Sequence, residues 1–279
     1  MESHSLGSQL AARVRTQLPL LKDAEARVAQ VLLDQGRDLV TLSVSDVATL
    51  AHTASSTVVR ACQRLGFRGF QEVKILAAAG APPPVPVGGP QADALTRTVH
   101  TARETLDGLT TTVSQTQMDD VARVLSLAPH TLVVGAGLSS AVCLDAAYRL
   151  RALGMTVDAP CDPITAELAA GLLPPSAACL AVSHTGATRS TVAAAERART
   201  AGATVIALTS YAHTPLTEAS THTLLAGGQD LILGLEAVAS RLAHLAVIDA
   251  LTLTLLETQG PRARAALRLS AEVTAAHAY

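Results

Sequence analysis

The sequence predicts an all-α N-terminal domain followed by an α/β domain with a parallel sheet. Before residue 80 the apolar residues recur at helical spacing. Beyond about residue 130, short apolar runs rich in β-branched residues alternate with helical segments. That alternation is typical of a parallel sheet covered by helices on both faces. The length of 279 residues leaves room for two domains with separate cores.

The composition indicates a globular protein with aliphatic cores. Apolar residues make up 49% of the chain and aromatic residues 2%. The net charge is −2 overall but +2 over the first 80 residues, which hold nine Lys/Arg against seven Asp/Glu. That excess is too small to indicate nucleic-acid binding by itself. Its placement says more, because four basic residues lie within fifteen positions beside a single acid, Glu72: they are Arg60, Arg64, Arg68 and Lys74.

Cysteine usage and the absence of targeting signals indicate the cellular compartment in which the protein resides. Four cysteines are scattered without a CxxC spacing, and we expect each to be buried and reduced: Cys62, Cys143, Cys161 and Cys179. No group of His and Cys has metal-ligand spacing, so neither a metal nor a cofactor is expected. No signal peptide and no apolar run of about twenty residues is found. The sequence therefore predicts a cytoplasmic protein without membrane contact.

The segment 77–94 marks the boundary between the two domains. It contains five prolines and three glycines but no Lys or Arg. Because proline removes backbone donors and keeps the chain extended, we expect a semi-rigid linker here. The predicted domains cover residues 1–80 and 92–279, with the linker over 81–91. A long helical stretch over about 92–127 opens the second domain.

Residues 43–74 have the pattern of two short helices joined by a tight turn. Ser45 is placed to cap the first helix, and Gly66 is placed to end the second, which runs from about Ser55 to Leu65. Two such helices, the second with a polar and basic outer face, predict a helix-turn-helix. Apolar residues line the inner faces: Val47, Ala48 and Ala51 in the first helix, and Val58, Ala61, Cys62 and Leu65 in the second.

The outer face of the second helix carries the side chains that reading DNA requires. Short hydrogen-bonding residues at its N-terminal end can approach base edges, and arginines further along can reach bases and phosphates. The spacing alone leaves open an amphipathic helix with a solvated basic face. If the helix binds a double-stranded DNA operator, the contacting residues are Ser55, Ser56, Thr57, Arg60, Gln63, Arg64 and Arg68.

Residues 57–74, TVVRACQRLGFRGFQEVK, resemble the N-terminal domain of the RpiR family of bacterial regulators. That family typically has the signature TVxRxxxxLGFxGFxxFK. This chain departs from it in the turn, where His52 replaces the usual glycine, Thr53 a buried Val and Ala54 a capping Ser. We therefore expect Ser55 to take over the cap one residue later. The resemblance implies that the protein binds DNA and regulates transcription.

Five apolar runs predict the strands of the second domain. They are TLVVGAG at 131–137, MTVDA at 155–159, CLAVS at 179–183, TVIALTS at 204–210 and THTLLA at 221–226. The long segment near residues 231–257 has helical periodicity, and it should pack on the sheet or at a dimer interface.

Two loops that follow predicted strands carry the ligand chemistry. GAGLSSA, residues 135–141, follows the first strand, and SHTGATRS, residues 183–190, follows the third and opens a helix. Open α/β sheets bind ligands at the carboxyl ends of their strands. Free N–H groups and the helix dipole there attract phosphate. Glycine lets the backbone approach an anion, while Ser and Thr supply further hydrogen bonds.

The second loop, S-x-T-G-x-T, resembles the phosphate loop of SIS (sugar isomerase) domains, which is usually SxSGxT. Residues 201–220 and 240–251 resemble later parts of the same domain, so the likeness covers roughly 92–279. It implies a five-stranded parallel sheet in a three-layer α/β/α sandwich of the flavodoxin-like type. It also implies a phosphorylated-sugar effector held by Ser183, Thr185, Gly186 and Thr188, with Gly137, Ser139 and Ser140 from the first loop. His184 is expected to face solvent.

Two other interpretations of the second domain stay open. SIS domains also occur in sugar-phosphate isomerases, which need a general base, and Glu236 is the candidate acid. The run VVGAGLSSA followed by Asp158 imitates a dinucleotide-binding fingerprint, although Ser140 stands at its third glycine position.

The interpretation that accounts for both halves is a regulator, not an enzyme. A bound sugar phosphate would alter how two SIS domains pack and so the spacing of two DNA-reading helices. A homodimer or homotetramer is expected, because one such DNA-binding domain recognises few base pairs.

Overall fold

A computed structural model describes residue 14 and residues 21–79, 93–226 and 238–278. Within these residues the chain divides into two compact units, and the boundary between His100 and Thr101 falls inside the helix Ala94–Thr112, most of which belongs to the second unit. The predicted linker over 81–91 lies outside the described residues. No helix in the described ranges is long and apolar enough to cross a membrane.

The first unit is all-α, as predicted. Its helices are α1 (Asp23–Gln35), α2 (Val44–Leu50), α3 (Ser55–Arg64) and α4 (Phe70–Ala79), with a 3₁₀ helix over Gly36–Val40. They enclose one apolar core to which both phenylalanines of the chain, Phe67 and Phe70, contribute.

The cap of α2 differs from the prediction. Ser43 is the N-cap: its hydroxyl accepts a hydrogen bond from the Asp46 N–H, and the Asp46 carboxylate accepts one from the Ser43 N–H. This reciprocal capping box satisfies two backbone donors. Ser45 is instead buried, with its hydroxyl 3.2 Å from that of Ser55. A serine two residues earlier supplies the better geometry, because the acid three positions after it completes the box.

The inner faces of α2 and α3 are confirmed, since all seven predicted apolar residues are buried. The end of α3 is also confirmed. Gly66 has φ +83°, its N–H donates to Gln63 O, and the Phe67 N–H donates to Cys62 O. This pair of bonds is the Schellman arrangement that ends a helix at a glycine. The start of α3 differs from the prediction, because Ala54 is the N-cap and no side chain caps the helix.

The second unit contains a five-stranded parallel sheet with helices on both faces. The predicted long helix over 92–127 is two helices, because a capping box between Ser114 and Gln117 starts a new one. In chain order, the elements of the second unit are α5 (Ala94–Thr112), α6 (Gln115–Leu127), β1 (Thr131–Val134), α7 (Ser139–Ala152), β2 (Val157–Asp158), α8 (Pro163–Gly171), β3 (Ala178–Val182), α9 (Arg189–Thr200), β4 (Thr204–Thr209), α10 (Pro215–Glu218), β5 (His222–Leu225), α11 (Val238–Gln259) and α12 (Pro261–Ala276).

The strand order is β2-β1-β3-β4-β5, and every pair is parallel. This is the flavodoxin-like order, so the predicted fold class is confirmed. Side chains of successive strand residues enter two separate cores. Val133 and Leu180 contact the core formed with α6, α7 and α11, whereas Leu132 and Cys179 contact the core formed with α8, α9 and α10. The sheet is therefore the middle of three layers, and the order of its strands reverses between β1 and β3.

Candidate DNA-binding and ligand-binding sites

The turn between α2 and α3 has the backbone of a glycine but carries a histidine. His52 has φ +49°, a left-handed conformation that L side chains rarely adopt. Arg27 on α1 fixes this turn, because its guanidinium donates to the carbonyl oxygens of Ala51 and His52 at 3.0 and 3.3 Å. The turn geometry is thus retained despite the departure at His52.

The outer face of α3 presents most of the predicted DNA-contacting residues to solvent. Four of them are exposed on α3, namely Ser56, Arg60, Gln63 and Arg64, and Arg68 is exposed in the segment that follows the helix. They combine a short hydroxyl near the start of α3 with arginines further along. An isolated helix-turn-helix surface of this kind can contact both base edges and phosphates.

Two of the predicted contact residues, Ser55 and Thr57, do not lie on this exposed face. Ser55 is half-buried against Ser45, as described above. Thr57 is buried, and its hydroxyl accepts a hydrogen bond of 3.3 Å from the Arg60 guanidinium. Burial of these hydroxyls limits their access to a base, and the Thr57 hydroxyl holds the Arg60 guanidinium instead.

The basic cluster contains an ion pair that the local sequence did not reveal. Arg64 pairs with Glu25 of α1 at 3.0 Å, and the Glu25 side chain is 8% exposed against 48% for Arg64. Lys74 is buried. Arg64 therefore has a structural partner, whereas within the described ranges no acidic side chain pairs with the exposed guanidinium of Arg60 or of Arg68. Nothing in the sequence signals a pair between residues 39 positions apart.

The loop after β3 brings the predicted phosphate-binding residues together. The Ser183 and Thr188 hydroxyls are 3.0 Å apart, the Gly186 N–H donates to Ser183 O, and the Ala187 N–H donates to Thr185 Oγ1. Gly186 has φ +61°, and a Cβ there would overlap the Thr214 side chain. The loop is a compact turn of hydroxyl groups that requires glycine.

The helices that follow the two predicted loops begin without a side-chain cap. The N-caps of α7 and α9, Leu138 and Thr188, make no capping hydrogen bond, whereas Asp162 caps α8. Among the described residues no side chain accepts a hydrogen bond from the first-turn N–H groups of α9, whereas the Ser139 and Ser140 N–H groups of α7 donate to Ala136 O and Gly137 O. Uncapped N–H groups together with the helix dipole make a site for an anion.

A cleft of about 100 Å³ lies at the reversal of strand order. The predicted residues Gly137 and Ser140 line it; Ser140 also donates to Gly135 O at 3.2 Å. Ser190 and Thr191, in the first turn of α9, also line it, although neither was predicted from the sequence. The first loop comes very close to β3, since a Cβ on Gly135 would lie 2.8 Å from Val182 O. The residues Ser183, Thr185, Gly186 and Thr188 are not among those lining this cleft.

Contrary to the prediction, His184 does not face solvent but belongs to a half-buried hydrogen-bond network. Its Nδ1 lies 2.9 Å from the Ser210 hydroxyl, which donates to Ala226 O and lies 3.3 Å from Nε2 of the buried His244. Since the single hydroxyl hydrogen goes to Ala226 O, both imidazoles must donate to Ser210. The Thr209 hydroxyl and Ser210 N–H also donate to His184 O, so the loop after β3 is tied to the end of β4.

The geometry of Asp158 disagrees with dinucleotide binding. Its carboxylate lies 3.0 Å from Nε2 of His130, which immediately precedes β1. The side chain is therefore directed to the amino end of β1, whereas a ribose would lie beyond the carboxyl end.

Three of the four cysteines are buried as predicted. Burial raises the pKa of the Cys62, Cys143 and Cys179 thiols to about 12. Cys161 corrects the prediction because it is exposed, at the edge of the cleft. Among the described residues no group of three or more His, Cys, Asp or Glu could hold a metal ion. Glu236, the acid of the isomerase alternative, lies outside them.

A helix-turn-helix unit joined to an α/β unit with hydroxyl-lined loops defines a transcription regulator with a ligand-sensing domain. The family model described as "Helix-turn-helix domain, rpiR family" matches residues 8–80, and that of the SIS domain matches residues 125–254. The chain therefore belongs to the RpiR family of helix-turn-helix transcriptional regulators, with a C-terminal SIS domain.

Individual relatives agree with this assignment. An HTH-type transcriptional regulator of Caldanaerobacter subterraneus is 26% identical over 88% of this chain and 89% of its own. The structure of the Vibrio vulnificus NanR protein complexed with ManNAc-6P has a TM-score of 0.81 and 25% identity, covering 96% of this chain and 99% of that one. The bifunctional protein glk of Paraburkholderia xenovorans is 29% identical over 88% of this chain, which spans 39% of its length.

Proposed function

We propose that this regulator binds operator DNA through α3 and that a phosphorylated sugar, held at the loop Ser183–Thr188, controls that binding. The observation that carries the proposal is the geometry of this loop, where three hydroxyl residues precede the uncapped first turn of α9. The similar NanR protein binds ManNAc-6P, which supports a phosphorylated sugar as the effector class.

Thermal unfolding with candidate ligands tests the sensor. The panel contains ManNAc-6P, glucose 6-phosphate and ribose 5-phosphate, with the unphosphorylated sugars and NADH as controls. At a ligand concentration 100 times its dissociation constant, binding adds about 2.7 kcal/mol to the free energy of unfolding. We expect at least one sugar phosphate to raise the unfolding temperature, and Ser183→Ala and Thr188→Val to abolish the shift. A shift with NADH alone would contradict the proposal.

We further propose that the protein is not an enzyme. The regulator family supports this, because its DNA-binding unit gives the ligand a use other than turnover. The alternative is isomerisation with Glu236 as the base. Proton NMR of each sugar phosphate with the protein distinguishes the two, since interconversion of aldose and ketose would favour the enzyme.

We propose a homodimer or homotetramer in the cytoplasm, with the effector acting through the packing of its SIS domains. An exposed apolar ridge along α8 and its C-cap residue supports self-association: Ile164, Leu168 and the C-cap Leu172 are 82%, 62% and 76% exposed. Residues four apart form one ridge on a helix. The ridge is symmetric about Leu168, so a twofold axis there would pair Ile164 with Leu172 of the second copy.

A further inference from the structure

The first turn of α9 places an unpartnered hydroxyl in the wall of the cleft. Thr191 lines the cleft and is 2% exposed. Within the described ranges its Oγ1 has no hydrogen-bond partner. A buried polar group without a partner loses its hydration and gains nothing in return. Such a group at a cleft is explained if a bound molecule supplies the missing partner.

Thr191 also departs from what other helical threonines of this chain do. Thr252, Thr254 and Thr258 each donate to the carbonyl oxygen four residues earlier, at 2.7 to 2.9 Å. Back-bonding of this kind is the usual way for a helical threonine to satisfy its hydroxyl. The residue four positions before Thr191 is Ala187, which lies in the loop before α9, outside the helix.

The charge in the cleft favours a neutral polyol over a second anion. The lining includes the hydroxyl residues Ser140, Ser190 and Thr191 and one carboxylate, Asp162, but neither Lys nor Arg. Hydrogen bonds from Thr165 hold the pKa of the Asp162 carboxyl below its ordinary value. An ionised carboxylate accepts hydrogen bonds from sugar hydroxyls but repels phosphate.

The size of the cleft also favours part of a neutral polyol as its ligand. Its volume of about 100 Å³ corresponds to roughly three water molecules in the liquid. That space suits a few hydroxyl-bearing atoms of a ligand whose remaining part lies outside the cleft. The loop Ser183–Thr188 directly precedes this turn of α9 along the chain, so one extended ligand can contact both.

We propose that Thr191, with Ser190, recognises a hydroxyl group of the sugar whose phosphate the loop Ser183–Thr188 holds. Thr191 is then a specificity residue of the effector site. This inference rests on the proposed function. It assigns the phosphate to the loop and the polyol to the cleft.

Calorimetric titration of the full chain tests the assignment. The ligands are inorganic phosphate and the same three sugar phosphates, and the proteins are wild type, Thr191→Val, Thr191→Ser and Ser190→Ala. We expect Thr191→Val to weaken binding of the preferred sugar phosphate about tenfold, since it loses one hydrogen bond. Inorganic phosphate should bind both proteins within a factor of two. Thr191→Ser keeps the hydroxyl and should bind like the wild type.

The possible outcomes separate the inference from the proposed function. Equal binding of the sugar phosphate by wild type and Thr191→Val would overturn the inference alone. Equal loss of inorganic phosphate and sugar phosphate would assign Thr191 to the phosphate and overturn it as well. If no ligand binds the wild type, the proposed function fails. Thr191→Val should unfold at or above the wild-type temperature, and if it does not, Ser190→Ala provides the test with an expected weakening in the same direction.

Discussion

His52 occupies a backbone position that suits glycine, and its neighbours hold it there. Its φ of +49° is maintained by the bonds from Arg27 to the turn carbonyls. A residue with a Cβ in this region is strained. Surrounding contacts thus hold His52 in a strained conformation, in a turn that sets the direction of α3.

Replacing His52 by glycine should therefore stabilise the DNA-binding unit. The strain is worth roughly 1–2 kcal/mol, and the greater chain entropy of glycine when unfolded removes part of the gain, so we expect about 0.5–1 kcal/mol. Hydrogen exchange of the α3 amides measures it, because their opening should become about two- to fivefold rarer. His52→Ala keeps the Cβ and serves as the matched control. Faster exchange in His52→Gly would contradict the expected strain.

The end of β4 connects the ligand-binding loop to neighbouring secondary-structure elements. Ser210 connects three of them: the loop after β3 through His184, the end of β5 through Ala226 O, and α11 through His244. Ser210 thus positions the loop without lining the cleft.

Ser210→Ala should loosen the loop and weaken effector binding. The change removes the hydrogen bonds that Ser210 makes with two imidazoles and one carbonyl oxygen, which costs about 1–3 kcal/mol of stability. We expect the dissociation constant of the preferred sugar phosphate to rise severalfold in calorimetric titration. Ser220→Ala is the control, since Ser220 is also half-buried and hydrogen-bonded, to Thr217 O, but at the start of β5. Comparable weakening by both variants would argue against a positioning role.

The exposed face of α3 leads to a separate prediction about operator binding. Arg60→Ala should lower operator affinity and reduce the slope of log affinity against log salt by about one, because one phosphate contact is lost. Gln63→Ala should lower affinity with little change in that slope. Arg123→Ala, an exposed arginine paired with Asp120 on α6, is the control. Fluorescence anisotropy with a duplex selected from a random pool measures these values. An unchanged affinity for Arg60→Ala would mean that α3 does not contact DNA.

Local patterns predicted most of the elements, because each has a signal within a few residues. The strands are continuous apolar runs, and Gly66 ends α3 where its φ requires glycine. The features that were missed depend on contacts between distant parts of the chain. The pair Glu25–Arg64 and the burial of Thr191 leave no local trace. The cap of α2 was misplaced because several serines precede it and only the geometry distinguishes them.

In the oligomer proposed above, the effector has to change a contact that two copies of the chain share. The ridge on α8 is adjacent to the cleft, since Pro163 and Ala166 of α8 line it. A ligand in the cleft can therefore change the position of α8 and with it the packing of two SIS domains. Allosteric coupling of this kind requires two distinct sites and one structural element whose position both sites affect.

Leu168→Glu should break the oligomer if the ridge is its interface. A charge at the centre of an apolar contact is buried without a partner, which association cannot compensate. Light scattering should show a smaller assembly than the wild type. Leu127→Glu is the matched control, since Leu127 is a 77% exposed leucine on α6 outside the ridge. An unchanged mass for Leu168→Glu in an oligomeric protein would place the interface elsewhere.

The most direct test of the regulator measures operator affinity with and without the preferred sugar phosphate, in wild type and in Ser183→Ala. Saturating sugar phosphate should change the wild-type operator affinity by about 5- to 150-fold, the usual range of allosteric coupling. It should not change the operator affinity of Ser183→Ala, which without ligand should match that of the wild type. A wild type that binds the sugar phosphate and the operator independently would contradict this prediction.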